Sequence, residues 1–440
     1  MKTIAVLGGG FTGLVAAYRL ADKGYKVSIF EKGDEVGGLA SGFEISGNNL
    51  EKAYHHIFKT DTDIISITKE LGIEDKLQWH DSSVSIYRKG RIYPFVTPVD
   101  LIKFSPLSII NRVRAGLVVL FLQKSKNWKP LQSISAAQWM KRWSGKQVYS
   151  VIWEPLLLGK FDKFYDKVSM AWLWARIHIR ANSKQKGDTK EKLGYYNGGF
   201  VQLVKALEEK LNKQGVEIVL NASVESLRKT HNKVEVKVNN QTYKFDAVLS
   251  TLPSNVFAKI IKEDNKKVKE YLNKLQSINY IGAVLNVFSY PESLSKYYWH
   301  NINDTKFPFL VFIQHTNLIN KENYNNNHIY YIGTYVPHDH KYFTIEDSEL
   351  KKEWYMYLKK IFKHFDPEKI IENNIFKFKY AQHIVDTQYT NKIPEYKTPI
   401  KNVYLSNFSQ IYPEDRGTNY AVREGNKIAE LIDKDLQLAE

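Results

Sequence analysis

Lys2-Thr3-Ile4-Ala5-Val6-Leu7-Gly8-Gly9-Gly10-Phe11-Thr12-Gly13 opens the chain, and the fold turns on how it is read. Residues 2–7 form a short apolar run of the kind shown by a buried parallel strand. Gly8 to Gly13, with Phe11 and Thr12 inside it, fits G-x-G-x-x-G, and Leu14 to Lys23 reads as a helix. In such a turn Gly8 permits the tight bend, Gly10 lets backbone approach a pyrophosphate, and Gly13 lets the helix pack closely on the strand. The pyrophosphate then meets unpaired N–H groups at the positive end of the helix. The hexapeptide alone is a weak signal, and its continuation gives it weight. Gly24 ends the helix, Tyr25 to Phe30 forms a second strand, and Glu31 follows 18 residues past Gly13. A carboxylate at that point accepts hydrogen bonds from a ribose.

Glu31-Lys32 is followed by Val36-Gly37-Gly38-Leu39-Ala40-Ser41. This resembles the E-(K/R)-x4-GG signature of amine oxidases, protoporphyrinogen oxidases and carotenoid desaturases. The resemblance implies non-covalent FAD rather than NAD, because in that family the second turn passes beside the flavin-bearing end, where only small residues fit. Leu193 to Pro253 resembles the family's second cofactor segment. There Gly198-Gly199-Phe200 leads into a helix (201–214), a strand (216–220), a hairpin turned at Asn239-Asn240, and the strand and proline turn 247–253 that includes Thr251. By the same resemblance the backbone at Val224 contacts adenine. A third segment runs from Asn402 to Ile432: strand 403–407 ending at Asn407, then Asp415-Arg416-Gly417-Thr418-Asn419-Tyr420 opening helix 421–432. In the family such a helix aims its N-terminus at the pyrimidine side of the flavin, where its positive end stabilises negative charge. Gly417 is read as permitting that close approach.

The expected fold is therefore α/β: a Rossmann-like FAD-binding domain built from discontinuous segments (1–79, 193–255 and 396–440). A helical subdomain (80–192) and a mixed α+β substrate domain (256–395) complete it. The 440 residues, 43% hydrophobic, suit two domains with real cores. The longest apolar run, Ala115 to Leu122, falls short of the roughly 18–20 residues that cross a bilayer. The start of the chain does not read as a signal peptide, so the expected location is cytoplasmic, with peripheral placement on the inner face of a membrane also considered. The absence of cysteine excludes disulfides, a redox dithiol, thiolate metal ligands and a cysteinyl flavin link.

The net charge is +16, with most lysines scattered over helices and turns. One stretch differs: residues 101–153 contain no acid, nine Lys or Arg, and Trp128, Trp139, Trp143 and Trp153. Three readings stand: docking on anionic lipid, a basic pocket for a phosphorylated or carboxylated substrate, or a helical subdomain with core tryptophans. Nucleic acid is not expected, because no binding fold accompanies the charge.

On the substrate side, amine oxidases usually carry a lysine near the flavin N5 on a strand of the substrate sheet. The comparable Tyr280 to Asn286 has none, which leans toward the protoporphyrinogen oxidase and desaturase side. Tyr54-His55-His56-Ile57-Phe58, with Thr60-Asp61 nearby, resembles the segment by which UDP-galactopyranose mutases cover their flavin. Either histidine suits an acid, base or donor role near the flavin; packed-core and exposed positions are the alternatives. His338-Asp339-His340 lacks a third ligand at recognisable spacing, so no metal is expected.

These expectations describe an FAD-dependent oxidoreductase moving a hydride from a C–N or C–C bond of a bulky amphipathic, lipid-like or anionic small molecule to N5. Two rivals remain open. One is a flavin-dependent nucleotide-sugar mutase with no net redox. The other is a non-catalytic binding protein resembling the Rab escort and GDP-dissociation-inhibitor proteins, which share the fold without FAD.

Overall fold

The computed structural model describes residues 1–183 and 191–438. Its first sheet is five-stranded and parallel, in the order Glu217–Val219, Lys26–Phe30, Thr3–Leu7, Ala247–Ser250, Val403–Leu405. The central strand shows why its sequence is apolar throughout: successive side chains face opposite sides, and both sides are covered. Ile4 and Val6 enter one core, and Ala5 and Leu7 another.

Around the sheets run helices α1 (Phe11–Asp22), α2 (Thr62–Glu70), α3 (Ile109–Lys124), α4 (Glu154–Phe161), α5 (Met170–Asn182), α6 (Val201–Lys213) and α7 (Thr418–Gln437). Helices α1, α6 and α7 cover one face of the parallel sheet. The other face is covered by the strands Val224–Lys229, Val234–Val238 and Gln241–Phe245, together with the helices Ser254–Ile260 and Lys266–Gln276. The hairpin turns at Asn239 and Asn240, both with positive φ (46° and 66°), as a tight two-residue turn demands.

The second sheet has seven strands, in the order Glu372–His383, Tyr280–Tyr290, His328–Val336, Val311–Gln314, Trp299–Ile302, Val84–Arg88, Arg91–Pro94. Its pairs are antiparallel except where Trp299–Ile302 lies parallel to Val84–Arg88. One face packs on helix Asp347–Ile361 through Trp354 and Leu358. The other face sends Ala283, Leu285, Val311 and Tyr331 into the core shared with α1 and α7. The two sheets are thus joined by continuous packing.

Two differences from the sequence reading follow. The tract 80–192 is not helical at its start: 84–94 forms two strands of the seven-stranded sheet, because Val84 and Ile86 find a parallel partner far along the chain. Helices Ser254–Ile260 and Lys266–Gln276, expected on the substrate side, bury Phe257, Val268 and Leu275 against the parallel sheet instead.

Helix α7 lies directly on α1. A Cβ on Gly425 would stand 2.8 Å from the Val15 Cβ and 2.9 Å from the Thr12 oxygen, so the glycine sets how closely the helices meet. Gly425→Ala is expected to destabilise the protein by about 1–3 kcal/mol through overpacking. Gly116→Ala, inside α3 with only a Leu101 methyl 3.7 Å away, should stabilise by up to about 1 kcal/mol. Thermal unfolding of the pair checks both signs.

Candidate functional site

The glycine turn after the first strand is built by contact rather than by conformation alone. A Cβ on Gly13 would meet the Gly8 oxygen at 2.1 Å, and one on Gly8 (φ +108°) would meet Thr251 Oγ1 at 2.5 Å. Thr251 Oγ1 in turn donates to the Leu7 and Gly8 oxygens at 3.0 and 3.2 Å. The second glycine pair is held against the first turn: Gly37 N–H donates to Gly9 O at 2.8 Å, and Gly10 and Gly37 form a parallel bridge. Gly37 and Gly38 both have positive φ, and a Cβ on Gly38 would stand 3.2 Å from the Gly10 Cα. The small residues of E-K-x4-GG are therefore explained by the approach of two turns to each other. Leu39 lines the cavity described below and Ala40 is buried.

Glu31 sits between these turns, accepting from Gly9 N–H and Gly33 N–H, each at 2.7 Å. Lys32 beside it is exposed. Val224 begins its strand at a register irregularity, near Ala222, whose N–H donates to the Glu31 backbone carbonyl at 2.8 Å. Asn407 is engaged within the protein: its amide donates to Leu252 O at 2.7 Å and accepts from Ser409. Its side chain therefore fixes the proline turn instead of offering a free donor.

Among the described residues, α1 and α7 start without a side-chain cap, and the first residue before each is a glycine, Gly10 or Gly417. No protein atom lies within 4 Å of a Cβ built on Gly10, and only the Tyr420 ring, at 3.7 Å, near one on Gly417. Gly417 has φ −174°, which any residue adopts. The backbone does not require glycine there; its missing side chain instead leaves room in front of the helix end. Two uncapped positive helix ends, each facing open space, fit a bound group carrying negative charge at one end and an electron-accepting ring at the other.

Between α7 and the seven-stranded sheet lies a cavity of about 250 Å3. Tyr54, His55 and His56 line it together with Arg416, Gly417, Thr418 and Asn419. Asn419 also caps α2, accepting from the N–H groups of Asp63 and Ile64 at 2.9 and 3.0 Å. The Tyr54 ring packs edge-on to Trp299 at 5.0 Å. His55 Nδ1 contacts Ala53 O at 2.6 Å, so the neutral ring donates there and keeps Nε2 as an acceptor. Burial pushes His55 down to about 4 and His56 to about 3. Both therefore remain neutral at neutral pH. Among the described residues His56 Nδ1 is buried without a partner. His338 packs edge-on to Tyr380 and His340 to Tyr342, apart from the cavity lining.

Four cavity groups fall outside the expected site residues: Lys160 of α4, Arg176 of α5, Tyr335 at the end of its strand, and Asp415. Asp415 accepts from Lys160 Nζ at 2.6 Å, Arg176 Nη1 at 2.7 Å and Trp172 Nε1 at 3.2 Å. Burial alone would raise its carboxyl, but Lys160, Arg176 and Arg416 hold it well below the usual range. Arg416 Nη2 donates to the Tyr335 hydroxyl at 3.0 Å, while its Nε is buried without a partner among the described residues. Burial opposes ionisation of Tyr335, yet Arg416 and Lys160 bring its phenol below the ordinary value. Arg180, one turn beyond Arg176, also lines the cavity and holds Glu191 at 3.0 Å. A signal existed for α5: two arginines four apart in the mostly apolar MAWLWARIHIR lie on one helix face. For Lys160 nothing in the sequence marked the position. Asp415 is the first residue of the quoted turn 415–420.

A parallel dinucleotide-type sheet with two glycine turns, joined to an antiparallel sheet across a cavity at a helix N-terminus, defines a two-domain flavoprotein. The family model described as flavin containing amine oxidoreductase matches residues 11–432, and the chain belongs to that family. It is a flavin oxidoreductase whose cofactor is FAD. It is 25% identical over 321 residues to the coproporphyrinogen III oxidase of Staphylococcus aureus, covering 64% of this chain and 67% of that protein. With a 15-cis-phytoene desaturase of an Oncidium hybrid cultivar it shares 22% over 435 residues, covering 92% and 73%. The chain spans about two thirds of the length of the first curated relatives it matches. Among solved structures, reduced UDP-galactopyranose mutase superposes with a TM-score of 0.77 at 16% identity, covering 100% and 96% of the two chains. Putrescine oxidase bound to putrescine gives 0.72 at 15%, covering 98% and 99%. These structural likenesses concern the fold.

The neutral histidines set an acid limit. Their folded pKa lies below the ordinary 6.5, so the stability they confer is full above that pH and is lost as pH falls through 4 to 3. The melting temperature should drop over this window, and His56→Gln should flatten the drop, as read by thermal unfolding across pH.

Proposed function

We propose that the protein oxidises a small organic anion by two electrons, removing a hydride from a carbon and a proton from its neighbour so that a C–N or C–C bond becomes double. The observation that carries this reading is the cavity charge: Lys160, Arg176 and Arg416 surround one ionised carboxylate, Asp415. Arg180 is balanced by Glu191, and against Lys160, Arg176 and Arg416 stand the two lining carboxylates Asp61 and Asp415, which leaves a positive excess; buried charge is stable only when paired. A substrate carboxylate or phosphate supplies the missing negative charge.

FAD supplies the hydride acceptor in this reading. The residues that would hold it are Gly8, Gly10, Phe11, Thr12 and Gly13 of the first turn, Glu31 with Lys32, and Gly37 to Ala40 of the second. Val224, Thr251 and Arg416 to Asn419 complete the set, and Asn407, engaged within the protein, supports the turn beside them. The chain's own residues handle the substrate. Arg176 and Arg416 orient its anionic group; Asp415 holds the first guanidinium and the Tyr335 hydroxyl the second. Tyr335, beside Tyr54 and held by Arg416, offers a phenol whose proton is more readily lost than an ordinary tyrosine's. With His55, which lines the same cavity, it makes the acid–base pair of this reading.

A second reading uses the same cations to hold a diphosphate, as a nucleotide-sugar mutase would, with no net oxidation. The first is tested by adding candidate carboxylated or phosphorylated amines and polyenes to the oxidised protein without oxygen. Bleaching of the flavin band near 450 nm supports oxidation; turnover of a nucleotide sugar only after prior reduction supports the mutase. Arg176→Gln should raise KM for an anionic substrate about 10-fold or more and leave the flavin spectrum intact, whereas Tyr335→Phe should lower kcat by about 10²-fold or more. Steady-state kinetics separates the two effects.

A further inference from the structure

Helix α3 is apolar on two sides. Its inner side buries Ala115 and Leu122, and Gln123 Nε2 ties it to Ala181 O at the end of α5 at 3.0 Å. Its outer side presents Ile110, Val113, Leu117, Leu120 and Phe121 at helical spacing, between 51% and 79% exposed. Ile109 extends this stripe, Val99 and Ile102 continue it on helix Pro98–Lys103, and Trp143 adjoins it. Together these are nine of the 14 exposed large hydrophobic side chains among the described residues. Scattered apolar side chains are ordinary on a surface, but such a concentration marks an interaction face.

The charge around the face selects its occupant. Lys103, Arg114, Lys124, Lys126, Lys129, Lys141, Arg142 and Lys146 are all exposed, and residues 101–153 contain no acid. Among the described residues none of these eight has a carboxylate partner within salt-bridge distance. Arg114 instead donates to the Trp143 and Arg142 oxygens at 2.6 and 2.7 Å, which fixes the ends of the aromatic edge. A second copy of this chain docked by the same face would oppose cation to cation. Nucleic acid would leave the apolar stripe in water. A surface that is apolar at its centre and anionic at headgroup level satisfies both parts.

We propose that α3, with helix Pro98–Lys103 and Trp143, is a docking surface for an anionic phospholipid bilayer, the helix lying in the plane of the interface. At 16 residues α3 is about 24 Å long, and no helix among the described residues is long and apolar enough to cross a membrane. Its apolar stripe enters the acyl boundary while the lysines and arginines meet lipid phosphates. On its opposite side α3 packs on α5, whose Arg176 and Arg180 line the cavity. The inference does not depend on which substrate the cavity takes.

The test is flotation of the FAD-loaded protein with vesicles of phosphatidylcholine alone, and of phosphatidylcholine mixed with phosphatidylglycerol. Binding to the mixed vesicles, weakened by salt, is expected. Leu117→Glu with Phe121→Glu should abolish it, while the flavin spectrum and melting temperature remain. Lys141→Glu with Arg142→Glu should weaken it at least about 10-fold. Failure to float at low salt would overturn the proposal, as would unchanged binding by the Leu117/Phe121 variant. If that variant instead turns an oligomer into a monomer while vesicle binding is absent throughout, the face is a contact between copies and the proposal fails.

Discussion

The carboxylate of Asp415 is the point on which the site depends. Four separate parts of the chain meet at or beside it: α4 through Lys160, α5 through Arg176 and Trp172, the turn before α7 through Asp415 and Arg416, and the seven-stranded sheet through Tyr335, which Arg416 holds. Ion pairs at a surface contribute little, but removing one member of a buried cluster leaves charge without compensation, at a cost of about 3–5 kcal/mol. Asp415 and Lys160 are both well buried, at 17% and 8% side-chain exposure. The cluster therefore fixes the helical tract against the nucleotide domain with more specificity than apolar packing alone. It also leaves positive charge over, which gives the cavity its character.

The parts of the fold legible in the sequence were those where backbone needs a particular residue. Gly8, Gly13, Gly37 and Gly38 are forced by positive φ or by contacts shorter than a Cβ allows, and such constraints leave a readable spacing. Asn239-Asn240 marked its hairpin for the same reason. Strand 84–88 was not legible, since its partner Trp299–Ile302 lies more than 200 residues away and a short apolar run does not announce its neighbour. The cavity divides the same way. Tyr54, His55 and His56 followed a recognisable segment and line the cavity. Lys160 and Tyr335 reach it only through tertiary packing, so no local pattern marks them.

Helix ends and charge act together here. Helices α1 and α7 both begin at glycines without a side-chain cap, and the contact at Gly425 holds the two at fixed separation. Their positive ends are thereby kept in register with each other, which is the requirement for gripping one extended ligand at two places. The neutral histidines add donors and acceptors beside these ends without adding charge. Positive character in the cavity thus comes from lysine, arginine and helix termini rather than from histidine.

The parallel sheet has a consequence for the order of assembly. Its central strand Thr3–Leu7 is flanked by Ala247–Ser250, which is itself flanked by Val403–Leu405, and α1 is covered by α7. Contacts so distant along the chain carry a large loop-closure cost and form slowly. During synthesis the glycine turn is made well before the partners that complete it, so α1 keeps an apolar face in water until hundreds of residues have followed. Such a chain is most exposed to misassembly while incomplete, and capture of the nucleotide becomes one of the last events of its maturation rather than a nucleus for it.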